Sequence, residues 1–453
     1  MNENLQQLAL ITALLTNWDG ILLRMGTLTA ADAKRLAALG DALDAVRNED
    51  DLARVIDDLL DFTADTAADA YTRELISRFT LPSAPKVRGI VRGIEPLDLE
   101  ILDQSELSMR AGQDLGKIIA TETDGVLSVP LFFGTNRKPA EGGAGFEGEL
   151  VNDVSFGLAY VTIPVNKHRH GKIEKPHWWT LYKDSDAEHK FIQLTRVQTF
   201  PQSEFSSKLE NAVTAAKTPE VLVFLHGFNV TFEEAALRAA QISYDMNFRG
   251  VILLFSWPSL GSWRPSASAI FPYTADEARA DASGKRLADF LRALEGGPFH
   301  RVHLMAHSMG SRVLLSGIAD NLHKPGLPLG HVAFVAADIY VASFESNWTK
   351  FQSAGAASVT SYASNADHAL KFSNWWHVAN RVGLISDGVP YVTDGLQTID
   401  ASAVSTSLLG HSDFGMKRSL LTDIGLLLDG LSPDGRKLKP VTAEKKSYWK
   451  FPA

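Results

Sequence analysis

Apolar residues recur along the chain with two different periods, and the change between them divides it. Over residues 1 to about 80 the period is helical: Leu36, Leu39, Leu43 and Val46 fall on one face after the capping sequence Thr29-Ala30-Ala31-Asp32, and Leu52, Val55, Ile56 and Leu59 form a second stripe. This pattern predicts a small helical bundle. Proline and glycine then crowd Leu81 to Pro96, which stops helices and predicts a linker. Helical character returns over residues 98 to 121, as expected of a helix docked on the next domain.

From about residue 126 the pattern becomes that of strands. Ser128 to Phe133, Gly157 to Ile163 and Lys190 to Phe200 come first, the last alternating apolar and polar positions. Uniformly apolar runs then alternate with amphipathic ones. Val221 to Leu225, Val251 to Phe255, Val302 to Met305, Val332 to Ala336, Ser358 to Ala363 and Thr398 to Ala401 read as strands; helices are expected over Phe232 to about Asn247, Ala275 to Leu294, and from the serine turn after Met305 to Asn321. Apolar strands separated by amphipathic helices predict an α/β domain, a mostly parallel sheet covered on both faces. Beyond Leu431 the chain is rich in lysine (Lys437, Lys439, Lys445, Lys446, Lys450) and reads as a surface extension. The expected organisation is therefore a helical bundle over 1–80, a linker and docking helix over 81–125, an α/β domain over 126–430 and a basic tail over 431–453.

Composition narrows the chemistry. At 453 residues the chain exceeds one core, in keeping with two domains. A net charge of -9 argues against nucleic acid as the partner of the whole molecule. There is no cysteine, which excludes disulfides, thiolate metal ligands and cysteine nucleophiles and is compatible with a reducing cytoplasm. Met1-Asn2-Glu3-Asn4 lacks the basic start of a signal peptide, and Leu8 to Leu15 is too short to cross a bilayer. A cytoplasmic location without a transmembrane segment is expected.

The chemistry centres on Arg301 to Arg312, R-V-H-L-M-A-H-S-M-G-S-R. Ser308 stands where a strand should turn sharply into a helix, flanked two residues away by Ala306 and Gly310, small enough for a nucleophile elbow. A serine hydroxyl needs a base to take its proton and a carboxylate to orient that base. In the α/β-hydrolases that carry such an elbow the chain order is serine, acid, histidine. Asp367, after the strand ending at Ala363, is the preferred acid; Asp338, after the preceding strand, is the alternative, and a helix N-cap is the non-catalytic reading of either. His411, in the turn between the last strand and the last helix, is the expected base. His307, His368 and His377 are less well placed. His168 and His170 suggest a metal only weakly, lacking a carboxylate in fixed local spacing, and a solvated loop is expected there.

His226-Gly227-Phe228-Asn229 follows the first strand of the alternating series, where an H-G turn aims a backbone amide at developing negative charge. The amides of Phe228 and Met309 are the expected oxyanion donors. Trp257, Trp263, Tyr273, Trp375 and Trp376 leave the carboxyl ends of strands, where they suit either the walls of an apolar pocket or the packing of long loops.

These motifs resemble a bacterial α/β-hydrolase family of unknown function, within the esterase/lipase superfamily. The resemblance covers residues 126 to 430 through F-F-G-T-N-R-K (132–138), H-G-F-N-V-T-F-E-E-A (226–235), L-F-S-W-P-S (254–259), A-H-S-M-G-S-R-V-L (306–314), Y-A-S-N-A-D-H-A-L (362–370) and I-D-A-S-A-V-S-T-S-L-L-G-H-S (399–412). It implies an α/β-hydrolase fold and a Ser308, Asp367 and His411 triad, and says little about substrate. The expected activity is cleavage of a small-molecule or lipid ester through an acyl-enzyme, with no metal or organic cofactor. An amidase or peptidase, or a phospholipid lipase, would use the same triad. The alternative from another class is an interaction protein, its N-terminal helices binding a partner or a second copy while the hydrolase serves as scaffold. Serine at the elbow disfavours relatives with an aspartate nucleophile.

Overall fold

The computed structural model describes residues 120–141, 145–171, 173, 191–260, 271–319, 326–365, 380–386, 388–404, 418–443 and 446–452. The expected helical bundle and nearly all of the linker lie outside these residues. Nearly all those described belong to one compact unit, Ala111–Ser262 with Ala275–Ala453.

In chain order the described residues form β1 (Thr121–Thr123), β2 (Val126–Pro139), β3 (Phe146–Pro164), β4 (Gln193–Phe200), α1 (Gln202–Ala215), β5 (Glu220–Leu225), α2 (Phe232–Asp245), β6 (Val251–Ser256), α3 (Phe271–Arg292), β7 (Arg301–His307), α4 (Gly310–Ala319), β8 (Leu329–Val335), α5 (Val341–Glu345), α6 (Thr349–Ser353), β9 (Ser358–Ala363), β10 (Gln397–Asp400), α7 (Arg418–Leu428), β11 (Lys439–Ala443) and β12 (Lys446–Lys450). The strands join one mixed sheet in the order β11-β12-β10-β9-β8-β7-β5-β6-β2-β3-β4, with β1 paired to β2. From β12 through β10, β9, β8, β7, β5 and β6 to β2 every neighbour is parallel; β3, β4, β1 and β11 supply the antiparallel margins.

Burial on both faces accounts for the continuous apolar runs. One face presents Leu222 and Phe224 of β5, Ile252 and Leu254 of β6, Met305 of β7 and Val335 of β8 to Ala235, Ala239 and Ile242 of α2 and Leu420 and Ile424 of α7. On the other, Phe132 meets Phe205 of α1, Phe255 meets Phe290 of α3, and Phe334 meets Phe344 of α5 and Phe351 of α6 edge to face. Among the described residues no helix is long and apolar enough to cross a membrane.

Two segments differ from expectation. The lysine-rich end is part of the sheet: β11 and β12 form a hairpin, and β12 continues the parallel ladder beside β10 through Ile399 and Trp449. Tyr448 and Phe451 anchor the hairpin by burial, while Lys439, Lys446 and Lys450 are exposed, Lys439 on the outermost strand β11, where charge discourages pairing with other chains. Strand β2 also runs six residues past Phe133, through the polar sequence Gly134-Thr135-Asn136-Arg137-Lys138-Pro139. Thr135, Asn136 and Arg137 are buried there.

Candidate active site

Strand order reverses beside β5: β6 follows it on one side and β7 on the other. At such a point the loops leaving the carboxyl ends diverge to opposite faces and open a crevice, the usual ligand position on parallel sheets. The loop after β5 carries His226 and Gly227, and the turn after β7 carries Ser308.

Ser308 sits between the last residue of β7 and the first of α4 with a left-handed φ of 51°. That conformation is unfavourable for a side chain bearing Cβ and persists only where its surroundings impose it. Here the Ser308 amide donates to the Val335 carbonyl at 2.9 Å, and its own carbonyl accepts from Ser311 at 3.0 Å and Asp338 at 3.2 Å. Asn229 (φ 53°) after β5 and Ala336 (φ 50°) after β8 are likewise left-handed. Backbone strain therefore gathers on three adjacent carboxyl ends.

Close packing sets the residue types. A Cβ at Gly310 would collide with the carbonyl oxygen of His226, and one at Gly227 would lie 2.9 Å from Nδ1 of His307 and 3.1 Å from Cβ of Ser308. The H-G turn and the serine turn thus touch through glycines. Helix α2 begins directly after the H-G turn, behind a capping box: the Thr231 hydroxyl accepts from the Glu234 amide and the Glu234 carboxylate accepts from the Thr231 amide, each at 3.1 Å.

His226 is buried with its ring stacked on Trp257, centroids 5.2 Å apart, and the Trp257 indole N–H donates to the His226 carbonyl at 2.7 Å. Its Nδ1 lies 2.9 Å from the Gly227 carbonyl, while Nε2 faces two donors, the Ser256 hydroxyl at 3.2 Å and the Arg137 guanidinium at 3.4 Å. Only the neutral tautomer protonated at Nδ1 satisfies both sides. Burial, then the Arg137 charge, holds its pKa well below the ordinary value. Burial likewise lowers His307, to about 4.

Model comparison with known families matches residues 201–427, half of the chain, to the family described as Alpha/beta hydrolase of unknown function (DUF900). The chain belongs to this alpha/beta hydrolase family. No curated protein matches it.

Within this hydrolase the structure brings together Ser308, His226-Gly227, Phe228, Met309 and Asp338. Asp338 is buried, its Oδ1 3.3 Å from Nε of Arg381, whose guanidinium is itself buried, lies 3.7 Å over the Tyr340 ring and reaches to 3.8 Å from Glu277. Arg312, one turn past the serine, pairs with Glu277 at 3.0 Å and Asp281 at 2.9 Å. Asp367, His411, Trp263, Trp375 and Trp376, with the side chain of Tyr273, lie outside the described residues. Trp257 lies inside, wholly buried behind His226.

Arg137, Asp276 and Arg381 also converge on this edge, and no motif in the sequence singles them out as site residues. For Arg137 the available signal is its place within F-F-G-T-N-R-K at the end of an apolar strand, where a buried arginine is unusual. The solvated loop expected at His168 and His170 is corrected for the first: the His168 side chain is buried, its Nε2 2.7 Å from Oδ1 of the buried Asp245, while the exposed His170 places Nδ1 3.5 Å from the same oxygen. Asp245 closes α2, far along the chain, so local spacing gives no sign of it.

Proposed function

We propose that the protein hydrolyses carboxylic esters by acyl transfer to water, with Ser308 as nucleophile, His411 as general base and Asp367 as the acid that orients it. The observation that carries this reading is the left-handed serine on the turn between β7 and α4, at the point where strand order reverses. Strain of this kind is retained where a side chain must stand clear of the sheet toward a ligand.

The hydroxyl of Ser308 attacks the ester carbonyl carbon while its proton passes to His411. The tetrahedral oxyanion is held by the amides of Phe228 and Met309. Collapse expels the alcohol, which takes the proton from His411. Water, deprotonated by the same imidazole, then attacks the acyl carbonyl; the imidazolium returns that proton to the departing Ser308 oxygen, and the carboxylic acid is released. Met309 supports its share of this role: it precedes the first residue of α4, where the helix dipole favours negative charge, and its amide has no acceptor among the described residues.

Two observations favour His411 as base and Asp367 as acid. His226 is buried and His307 partly so, and the pKa values of both are depressed by desolvation, so neither takes up a proton near neutrality. Asp338 already has the buried Arg381 as its partner, which leaves the later position in the chain, Asp367, for the histidine.

A fluorophosphonate probe tests the reading: wild type should label and Ser308→Ala should not. Absence of Ser308-dependent labelling would overturn it in favour of a scaffold whose helices bind a partner. Turnover of p-nitrophenyl esters of graded chain length, beside p-nitroanilides and phosphatidylcholine vesicles, separates esterase from amidase and lipase. Faster turnover of anilides or vesicles would sink the ester assignment.

A further inference from the structure

Behind the loop from His226 to Val230 lie two buried side chains of opposite charge. Arg137, 1% exposed, reaches it from the end of β2. Its Nη2 donates to the Val230 carbonyl at 2.6 Å, Nη1 to the carbonyls of Ser259 at 2.8 Å and Glu147 at 3.4 Å, and Nε to the Ser256 hydroxyl at 2.9 Å. Asp276, fully buried in α3, accepts from the Ser259 hydroxyl at 2.6 Å, the Leu260 amide at 3.1 Å and the Asn229 amide at 3.5 Å. Oγ of Ser259 in turn accepts from the Val230 amide at 3.2 Å.

The amide of Asn229 and both backbone polar groups of Val230 are therefore consumed by this pair, directly or through one hydroxyl. Asn229 is the left-handed residue of the loop, and the residue before it is Phe228. Burial pulls Arg137 down to about 9, which still leaves it charged at neutral pH. Asp276 is paired with Arg279 at 3.4 Å, and burying charged groups costs desolvation that apolar packing would not, so stability alone does not account for a guanidinium here. A planar fork that captures carbonyls from several loops at once does.

We infer that Arg137 and Asp276 are positioning residues for the oxyanion loop, fixing Asn229 and Val230 so that the Phe228 amide stays aimed at the carbonyl Ser308 attacks. The catalytic half of this inference rests on the function proposed above; the mechanical half does not. Neither residue touches the substrate. Arg137 also supplies one of the two donors that keep His226 in its neutral tautomer.

The test compares full-length wild type, Arg137→Lys, Asp276→Asn and Ser259→Ala by amide hydrogen exchange and by hydrolysis of p-nitrophenyl butyrate. In Arg137→Lys, exchange over residues 228–230 should quicken at least about tenfold while that of β7 is unchanged. Its kcat should fall at least about tenfold, short of the roughly 10²–10³ seen when an oxyanion donor is removed outright, with KM within about twofold. Folded variants with wild-type exchange and kcat would overturn the inference, as would faster exchange spread across the whole sheet. Should Arg137→Lys fail to fold, Ser259→Ala, which deletes only the bridging hydroxyl, decides the matter by the same readings. Local loosening in a protein whose Ser308 neither labels nor turns over ester would uphold the positioning role and sink the hydrolytic one.

Discussion

The backbone amide of Asp338 donates to the carbonyl of Ser308 across 3.2 Å. The loop after β8 is thereby tied to the serine turn by main chain, whatever the Asp338 side chain does. That side chain faces Arg381, which a short strap holds in place: Val341 donates to Asn380, Val382 to Ile339 and Gly383 to Ala337, each at 3.0 Å. Backbone position and carboxylate role at Asp338 are separable.

Asparagine substitutions should separate them. Asp367→Asn is expected to lower kcat on the order of 10⁴-fold while leaving stability unchanged, by analogy with loss of a triad acid. Asp338→Asn should leave kcat within about tenfold but destabilise by about 3 kcal/mol, the lower end for a buried pair losing one member, because Glu277 still faces Arg381. Kinetics and urea unfolding on the same preparations check both; the opposite pattern would make Asp338 the triad acid.

Alanine at Gly310 would drive its methyl into the His226 carbonyl oxygen, a backbone atom without room to yield. Gly310→Ala should be destabilised by about 1–3 kcal/mol and lose fluorophosphonate labelling. Gly227→Ala, with contacts of 2.9 and 3.1 Å, should lose less stability yet label more slowly. Thermal unfolding beside labelling rate tests the ranking.

Acid should weaken the fold through its interior histidines. At the opposite end of β7 from the serine, His303 and His331 stack with centroids 5.5 Å apart, beside Glu220, Arg301 and Ser358. Burial, aided by neighbouring positive charge, lowers His303 to about 3 and His331 to about 4. A folded-state pKa below the unfolded value means the unfolded chain binds more protons, so stability rises with pH across the interval between them. Urea midpoints should be level above about pH 6.5 and fall steadily toward pH 4. Replacing His303 with leucine should flatten part of that slope.

Removal of residues 439–453 should expose the edge of β10, which β12 now covers, along with the pocket filled by Tyr448 and Phe451. An uncovered parallel strand invites intermolecular pairing. Light scattering coupled to size exclusion should show aggregates where the full chain gives a single species.

Much of the sheet was legible because its central strands are buried on both faces. The runs at Val221 to Leu225, Val251 to Phe255 and Ser358 to Ala363 coincide with β5, β6 and β9 to within a residue. The polar end of β2 was not legible, since Thr135, Asn136 and Arg137 look like a loop until the groups they bind are known: Ser256, Ser283 and Val230 lie about a hundred or more positions away. The terminal hairpin was hidden by its lysines, which mark an edge strand as readily as a tail. At the site, the serine turn and the H-G turn were legible through small residues at fixed offsets. The buried charges that hold them follow no local spacing, because burial and not sequence neighbourhood pairs them.

The locked protonation of His226 and His307 makes the ground beneath the serine electrically silent. Near neutral pH neither ring changes charge, so neither alters the field at the Ser308 hydroxyl there. If the mechanism proposed above holds, a sigmoid in rate against pH near neutrality comes from neither of these two rings.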